Sequence, residues 1–282
     1  MEAASLLTAW KAARARLEAA GVDSPALDAR MLLEHATGVS RHDILTDPYR
    51  LLTEAQQRAF EAVVRRREGR EPVSHITGRR AFWTLDLTVS GAVLTPRPET
   101  EFLVQAVLQR SLVDAPLHVL DLGLGSGAIL FAILAERPLA HGTGVELSPE
   151  ALEVARANAA LLGLERRSVL MEGRFAAAPS GPYDFIVSNP PYIPSGDIEG
   201  LQPEVSRFEP RLALDGGPDG LEAFRELAPL LKTRLKPGGL AVLELGPGQA
   251  GAIEEIMAGE GLALELALKD FERRPRVLLF RR

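Results

Sequence analysis

The sequence predicts an α/β protein with a mostly parallel sheet, preceded by a small helical bundle and a β-hairpin connector. Three observations carry this. From about Glu99 onward, strand-like apolar runs alternate with segments of helical period, the rhythm of a sheet built through right-handed crossovers. Residues 1 to about 70 show helical period alone. Between 72 and 98 the pattern changes to an alternation of two. A chain of 282 residues has room for two domains, with expected divisions at 1–70, 71–98 and 99–282.

The first helix is marked by Leu6, Leu7, Trp10 and Leu17, and the second opens at Ser24-Pro25, carries Leu27, Met31 and Leu32, and stops at Gly38. A third starts at Thr53, where Gln56 completes a capping-box spacing, and carries Phe60, Val63 and Val64 to a stop near Gly69. Arg65, Arg66, Arg67 and Arg70 crowd its end; a solvated helix terminus complementing the dipole is the expectation, ahead of a partner-binding patch. Leu85, Leu87 and Val89 share one face of a strand, with Gly91 in a turn. Strands are then predicted at 117–122, 142–147, 168–171, 184–188 and 239–245, and helices at 126–136, 149–162, 219–235 and 249–259. Two last strands, 262–268 and 276–280, have no helix between them, so at least one should run antiparallel.

Composition narrows the function classes. There is no cysteine, so disulfides and thiolate metal sites are excluded. A net charge of -6 supplies no general attraction to nucleic acid. No apolar run approaches the ~20 residues of a membrane span, and the amphipathic start does not resemble a signal peptide, so the cytoplasm is the expected compartment.

The stretch LHVLDLGLGSGAILFAIL reads as a strand, a glycine turn and the start of a helix. Gly123, Gly125 and Gly127, with Leu124 and Ser126 between them, let the backbone turn sharply and approach a ligand. Nineteen residues after Gly127, at the end of the next strand, stands Glu146, an acid able to accept from both ribose hydroxyls of an adenosine. Gly123, Gly125 and Ala128 also satisfy the dinucleotide fingerprint, which keeps a nicotinamide or flavin enzyme as a rival.

DFIVSNPPY ends a buried strand on Asn189, Pro190, Pro191 and Tyr192. The prolines fix two φ angles and remove two donors, leaving carbonyl acceptors on a stiff backbone. Asn189 adds a side-chain carbonyl and Tyr192 a flat apolar face. This set suits a planar substrate bearing an NH2 group: accepting both N–H bonds fixes the nitrogen and favours positive charge on it as it attacks an activated electrophile, such as a sulfonium methyl.

These residues resemble S-adenosylmethionine-dependent methyltransferases of the Rossmann-like class I fold. More narrowly, the chain is similar to the HemK-like release factor glutamine methyltransferases. The likeness runs through PVSHITGRRAFW (72–83), VLTPRPETE (93–101), DLGLGSGAI (121–129), GVELSPEALEVARANA (144–159), VSNPPYIP (187–194), FEPRLALDGGPDGL (208–221) and a closing RPRVLLF. It implies a mostly parallel seven-stranded sheet and methylation of the glutamine amide in the Gly-Gly-Gln motif of bacterial class I peptide chain release factors.

Carried over by position, the resemblance implies that the backbone from Gly123 to Gly127 surrounds the methionine part of S-adenosylmethionine and that Glu146 holds the ribose. Asn189 and the Pro190 carbonyl would receive the amide hydrogens, with Pro191 and Tyr192 shaping the pocket. Arg97 and Glu99 lie in a family signature near the cleft and are expected to be structural, as an Arg-Glu pair. Leu124 stands where the family usually has Thr. Gly173 stands where related sequences place an Asp for the adenine amino group, which shifts that task to Arg174 and backbone groups. A monomer is expected, with no metal, no membrane and no nucleic acid required. A nucleic-acid amino-group methyltransferase and a binding module without catalysis are the remaining alternatives.

Overall fold

The computed structural model describes residues 4–270 and 272–282. It divides into two compact units, one comprising residues up to Gly78 together with Gln202–Phe208, the other Arg79–Leu201 with Glu209–Arg282.

The first unit is helical: α1 (Leu6–Ala19), α2 (Pro25–Thr37), α3 (Arg41–Thr46), α4 (Glu54–Glu68) and α5 (Val73–Thr77), plus one helical turn at Pro203–Ser206. Leu6, Leu17, Leu32, Leu33, Phe60 and Val64 meet in its core. The capping box at Thr53 and Gln56 is formed in both directions, whereas Ser24 makes no side-chain cap and the start of α2 rests on Pro25 alone. α3 and α5, of 6 and 5 residues, are too short to show a period and were not expected.

The arginine cluster is a solvated end only at Arg65 and Arg66. Arg67 is buried, with Nε 2.8 Å from Asp28 and Nη1 2.8 Å from Glu204. Arg70 grips both oxygens of Glu204 at 2.6 Å, and Arg66 is bidentate to Glu71. Arg65 and Arg66 remain exposed, Arg65 meeting Glu61. The helix end thus ties the 202–208 segment to its own unit.

The second unit begins with a hairpin, β1 (Arg79–Phe82) and β2 (Leu85–Thr88). Its reversal falls on Trp83 and Thr84, and Gly91 lies in the expected turn after β2, where Val93 N–H donates to Ser90. Trp83 takes a positive φ of 54°, its backbone N–H bound to Glu101 and its indole N–H to Glu136, both at 2.8 Å. Then follow α6 (Glu101–Leu108), β3 (His118–Leu122), α7 (Ala128–Glu136), β4 (His141–Glu146), α8 (Pro149–Leu162), β5 (Ser168–Glu172), β6 (Tyr183–Ser188), α9 (Glu222–Arg234), β7 (Leu235–Glu244), α10 (Ala250–Gly259), β8 (Ala263–Lys269) and β9 (Pro275–Arg281). α6 was not expected: its eight residues, four of them buried, span little more than two helical turns, too few for the period to stand out.

The seven strands lie in the order β5-β4-β3-β6-β7-β9-β8. All pairings are parallel except those of β9, which is antiparallel to both neighbours. This is the mostly parallel, seven-stranded architecture that the resemblance implies. Alternate strand residues face opposite layers: Val119, Phe185 and Val187 join α6 and α7 on one side, while Leu120, Ile186 and Leu243 join α9 and α10 on the other. The chain builds β3, β4 and β5 outward, then returns to place β6 on the other flank of β3. That reversal opens a crevice at the carboxyl ends of β3 and β6, where open α/β sheets bind ligands.

Candidate active site

A cleft of about 270 Å³ lies at this reversal. The turn after β3 supplies Gly123, Leu124, Gly125 and Ser126 to its wall, β4 supplies Glu146, the turn after β5 supplies Gly173, Arg174 and Phe175, and the end of β6 supplies Asn189 and Pro191.

The glycines do different work. A Cβ at Gly125 would meet nothing within 4 Å, so that backbone faces open space. Gly127 does not line the cleft; it sits at φ 82°, and a Cβ there would lie 2.1 Å from the Phe131 ring, so it serves the packing of α7. Leu124 is buried and turns its methyl groups onto Gly144 of β4, where a Cβ would be 2.7 Å away. The family's usual Thr is replaced here by a residue whose side chain packs against the sheet.

Glu146 is aimed by two backbone donors: Gly125 N–H binds Oε2 at 2.8 Å and Ser148 N–H binds Oε1 at 2.9 Å. Each oxygen keeps a further lone-pair direction, so the carboxylate can accept from paired hydroxyls. Gly173 adopts φ 152°, and a Cβ on it would lie 2.6 Å from that of Ala177. No side chain fits there. Arg174, ion-paired with Glu226 at 3.3 Å, and Phe175 form that wall instead. An open glycine backbone, a fixed carboxylate and apolar walls from Val145, Leu147, Ile129 and Phe175 fit an adenosine-bearing cofactor.

β6 stops at Ser188 because Pro190 and Pro191 have no N–H to extend the ladder. Beyond them, Ile193 N–H donates to Leu214 and Gly216 N–H to Ile193, at 3.0 and 2.9 Å, which sews this loop to the 208–221 segment. Pro190 is buried, and Tyr192 lies against the α9–α10 face of the sheet rather than on the cleft wall. Burial holds the Tyr192 phenol well above its usual pKa, so it stays protonated. The Asn189 amide nitrogen is 3.3 Å from Thr100 Oγ1.

Arg97 lines the cleft but pairs with Glu209, at 2.7 Å, and not with Glu99. Glu209 also accepts from the Thr95 N–H at 3.3 Å; burial raises its pKa, and Arg97 opposes that rise. Thr100, Phe175, Glu209, Glu244 and Gln249 are residues around the site that the sequence reading did not single out. For Glu244 a signal existed: it is the only charged residue in the run LAVLELG.

Comparison with known proteins bears on the chain as a whole. Residues 8–78 match the family model described as PrmC N-terminal domain, and residues 98–200 match the one described as Methyltransferase small domain. The release factor glutamine methyltransferase of Caulobacter vibrioides is 50% identical, over 98% of this chain and 96% of that protein. The one from Rhodospirillum rubrum is 48% identical, over 95% and 82%. Among solved structures, a methyltransferase from Pyrococcus furiosus superposes with a TM-score of 0.52 at 20% identity, covering 71% of this chain and 90% of that one, a likeness of fold. With half of its residues shared along nearly the whole length, and with the glycine loop, Glu146 and Asn189 gathered around one cleft, this chain belongs to the release factor glutamine methyltransferase family.

Proposed function

We propose that this protein methylates the side-chain amide nitrogen of the glutamine in the Gly-Gly-Gln motif of bacterial class I release factors, with S-adenosylmethionine as donor. The reading is carried by one observation: Asn189, an amide acceptor on a proline-stiffened loop, shares a cleft with Glu146, a carboxylate held ready for a ribose. When bound, S-adenosylmethionine supplies an electrophilic methyl group on a sulfonium sulfur.

Glu146 would hold the ribose hydroxyls, the backbone of Gly123–Ser126 the methionine end, and Arg174 with its neighbouring backbone the adenine. Asn189 Oδ1 and the Pro190 carbonyl accept the two N–H bonds of the glutamine amide. That fixes the nitrogen for in-line attack and stabilises its growing positive charge. The nitrogen gains the methyl and gives up one proton to solvent, and no side chain of this protein is covalently modified. The protein acts as a monomer in the cytoplasm, without nucleic acid, its helical unit receiving the release factor. Among the described residues no helix is long and apolar enough to cross a membrane.

The test is mass spectrometry of a purified release factor after incubation with this protein and S-adenosylmethionine. One added methyl on the motif glutamine is expected, lost with Asn189→Ala. An unmodified glutamine, or one modified equally by the variant, would sink the reading.

A further inference from the structure

Asn189 can serve as an acceptor only if its amide is turned the right way. The two ends of an asparagine amide are nearly the same shape, and the reversed orientation would point N–H bonds at the substrate's own N–H bonds. Something behind Asn189 must therefore hold its nitrogen. Thr100 Oγ1 does so in part, at 3.3 Å.

The stronger group is Glu244. The register of the sheet pairs Ser188 with Leu243, which sets Asn189 and Glu244 side by side at the carboxyl ends of β6 and β7. Glu244 is 3% exposed, is absent from the cleft wall, and its Oε2 has no hydrogen-bond partner. A buried carboxylate in that condition is costly and is retained only where it has a task. We infer that Glu244 is the positioning residue for Asn189: its carboxylate draws the Asn189 NH2 and the Thr100 hydroxyl toward itself, away from the substrate, and leaves Asn189 Oδ1 facing the cleft. The inference rests on the proposed glutamine methylation and adds a residue that orients the acceptor without touching substrate.

The surroundings of the carboxyl also give the inference a pH signature. Burial raises its pKa to about 7, the Thr100 hydroxyl and Asn189 amide pull it down, Glu99 pushes it up, and Arg276 on β9 pulls it down. The Tyr192 phenol, from the loop after β6, stays protonated in this range. Once protonated, Glu244 becomes a donor and can engage Asn189 Oδ1, in competition with the substrate.

The experiment is steady-state methylation of an intact release factor by wild type, Glu244→Gln, Thr100→Val, Asn189→Ala and the Glu244→Gln/Asn189→Ala double variant, at pH 6 to 8.5, with S-adenosylhomocysteine affinity measured in parallel. Glu244→Gln should lower kcat about 10- to 100-fold, the range of a positional fault at a reacting centre. S-adenosylhomocysteine affinity should stay within about threefold, and the wild-type rise in kcat through neutral pH should be absent. The double variant should be no slower than Asn189→Ala, because both changes disable one unit. Where Glu244→Gln fails to fold, Thr100→Val decides, with a smaller loss confined to kcat. A wild type that methylates with an equally active Glu244→Gln, or a double variant whose losses multiply, overturns the inference alone. A wild type that leaves the glutamine untouched overturns the substrate reading and the inference together.

Discussion

Gln249 Nε2 lies 2.8 Å from the Tyr192 carbonyl and 3.2 Å from that of Gly220, while its Oε1 accepts from the Gly246 N–H at 2.9 Å. One side chain at the start of α10 therefore joins the Asn-Pro-Pro-Tyr loop, the 208–221 segment and the turn after β7. Gly220 is part of the same contact, since a Cβ there would lie 2.4 Å from the Tyr192 oxygen. Gln249→Leu keeps most of the volume and leaves two carbonyls and an N–H without partners. The loop should loosen around Asn189, and kcat should fall about tenfold or more by loss of alignment. Because Gln249 does not line the cleft that Glu146 faces, S-adenosylhomocysteine affinity by calorimetry should change by less than about threefold; an unchanged kcat would show that the prolines alone hold the loop.

Glu146 makes the converse prediction. Its carboxylate is fixed by two N–H groups and faces the cleft, so Glu146→Ala should weaken S-adenosylhomocysteine binding by about 10- to 100-fold, the worth of charge-assisted hydrogen bonds of roughly 1.5–3 kcal/mol. Glu146→Gln should lose nearly as much, because an amide NH2 would confront either Gly125 N–H or Ser148 N–H. Retained affinity in both variants would remove the ribose from this end of the cleft.

These two residues mark the reach of sequence reading. Glu146 was legible because it combines a chemical type with a fixed offset from a glycine turn. Gln249 acts through three backbone groups brought together by folding, and a lone glutamine near a helix start has no pattern to betray it. The sheet was legible because its strands carry apolar, β-branched or aromatic centres, as 184–188 does at Phe185, Ile186 and Val187. Trp83 at a positive φ, and Arg67 under a segment more than a hundred residues away, depend on tertiary partners that local pattern does not record. Glu244 stood out as the one charge in the run LAVLELG, but the Thr100 and Asn189 side chains that meet it come from distant parts of the chain that local pattern does not record. Gly173 reads in sequence as the loss of an acid, whereas in the fold it is a requirement of the backbone.

That requirement is testable. At φ 152° and with Ala177 Cβ 2.6 Å from where its own Cβ would stand, Gly173 has no room for a side chain. Gly173→Asp, which restores the residue type of related sequences, should destabilise by about 1–3 kcal/mol and should not tighten S-adenosylhomocysteine binding. Gly173→Ala should lower Tm comparably, assigning the cost to backbone rather than charge. Tighter binding by the Asp variant would show that this turn can relax.

Arg67 separates buried from exposed charge within one helix end. It is the shared partner of Asp28 and Glu204, both largely buried, and burial already raises the pKa of Asp28 against the pull of Arg67. Arg67→Ala should destabilise the helical unit by about 3–5 kcal/mol, the cost of stranding buried carboxylates. Arg65→Ala, two positions away and exposed, should cost less than about 1 kcal/mol. Amide hydrogen exchange in α2 and α4 measures both; equal protection in the two variants would deny the network its role.

Glu244 should also leave a mark on stability, with a defined sign. Its folded pKa is raised from 4.5 to about 7, chiefly by burial. Between those values the native state holds more protons than the unfolded state, so its contribution to stability falls as pH rises through this window and stays unfavourable above it. The full difference corresponds to about 3 kcal/mol. Glu244→Gln removes the titration and keeps the shape. The gain in Tm of the variant over wild type should therefore be larger at pH 8 than at pH 5, while Asp121 and Glu209, also raised by burial, titrate in both proteins and cancel in the comparison. A gain in stability that accompanies a loss of kcat would mark Glu244 as a group kept for activity against its cost to the fold. A Tm difference independent of pH would mean that the carboxyl is not the titrating group.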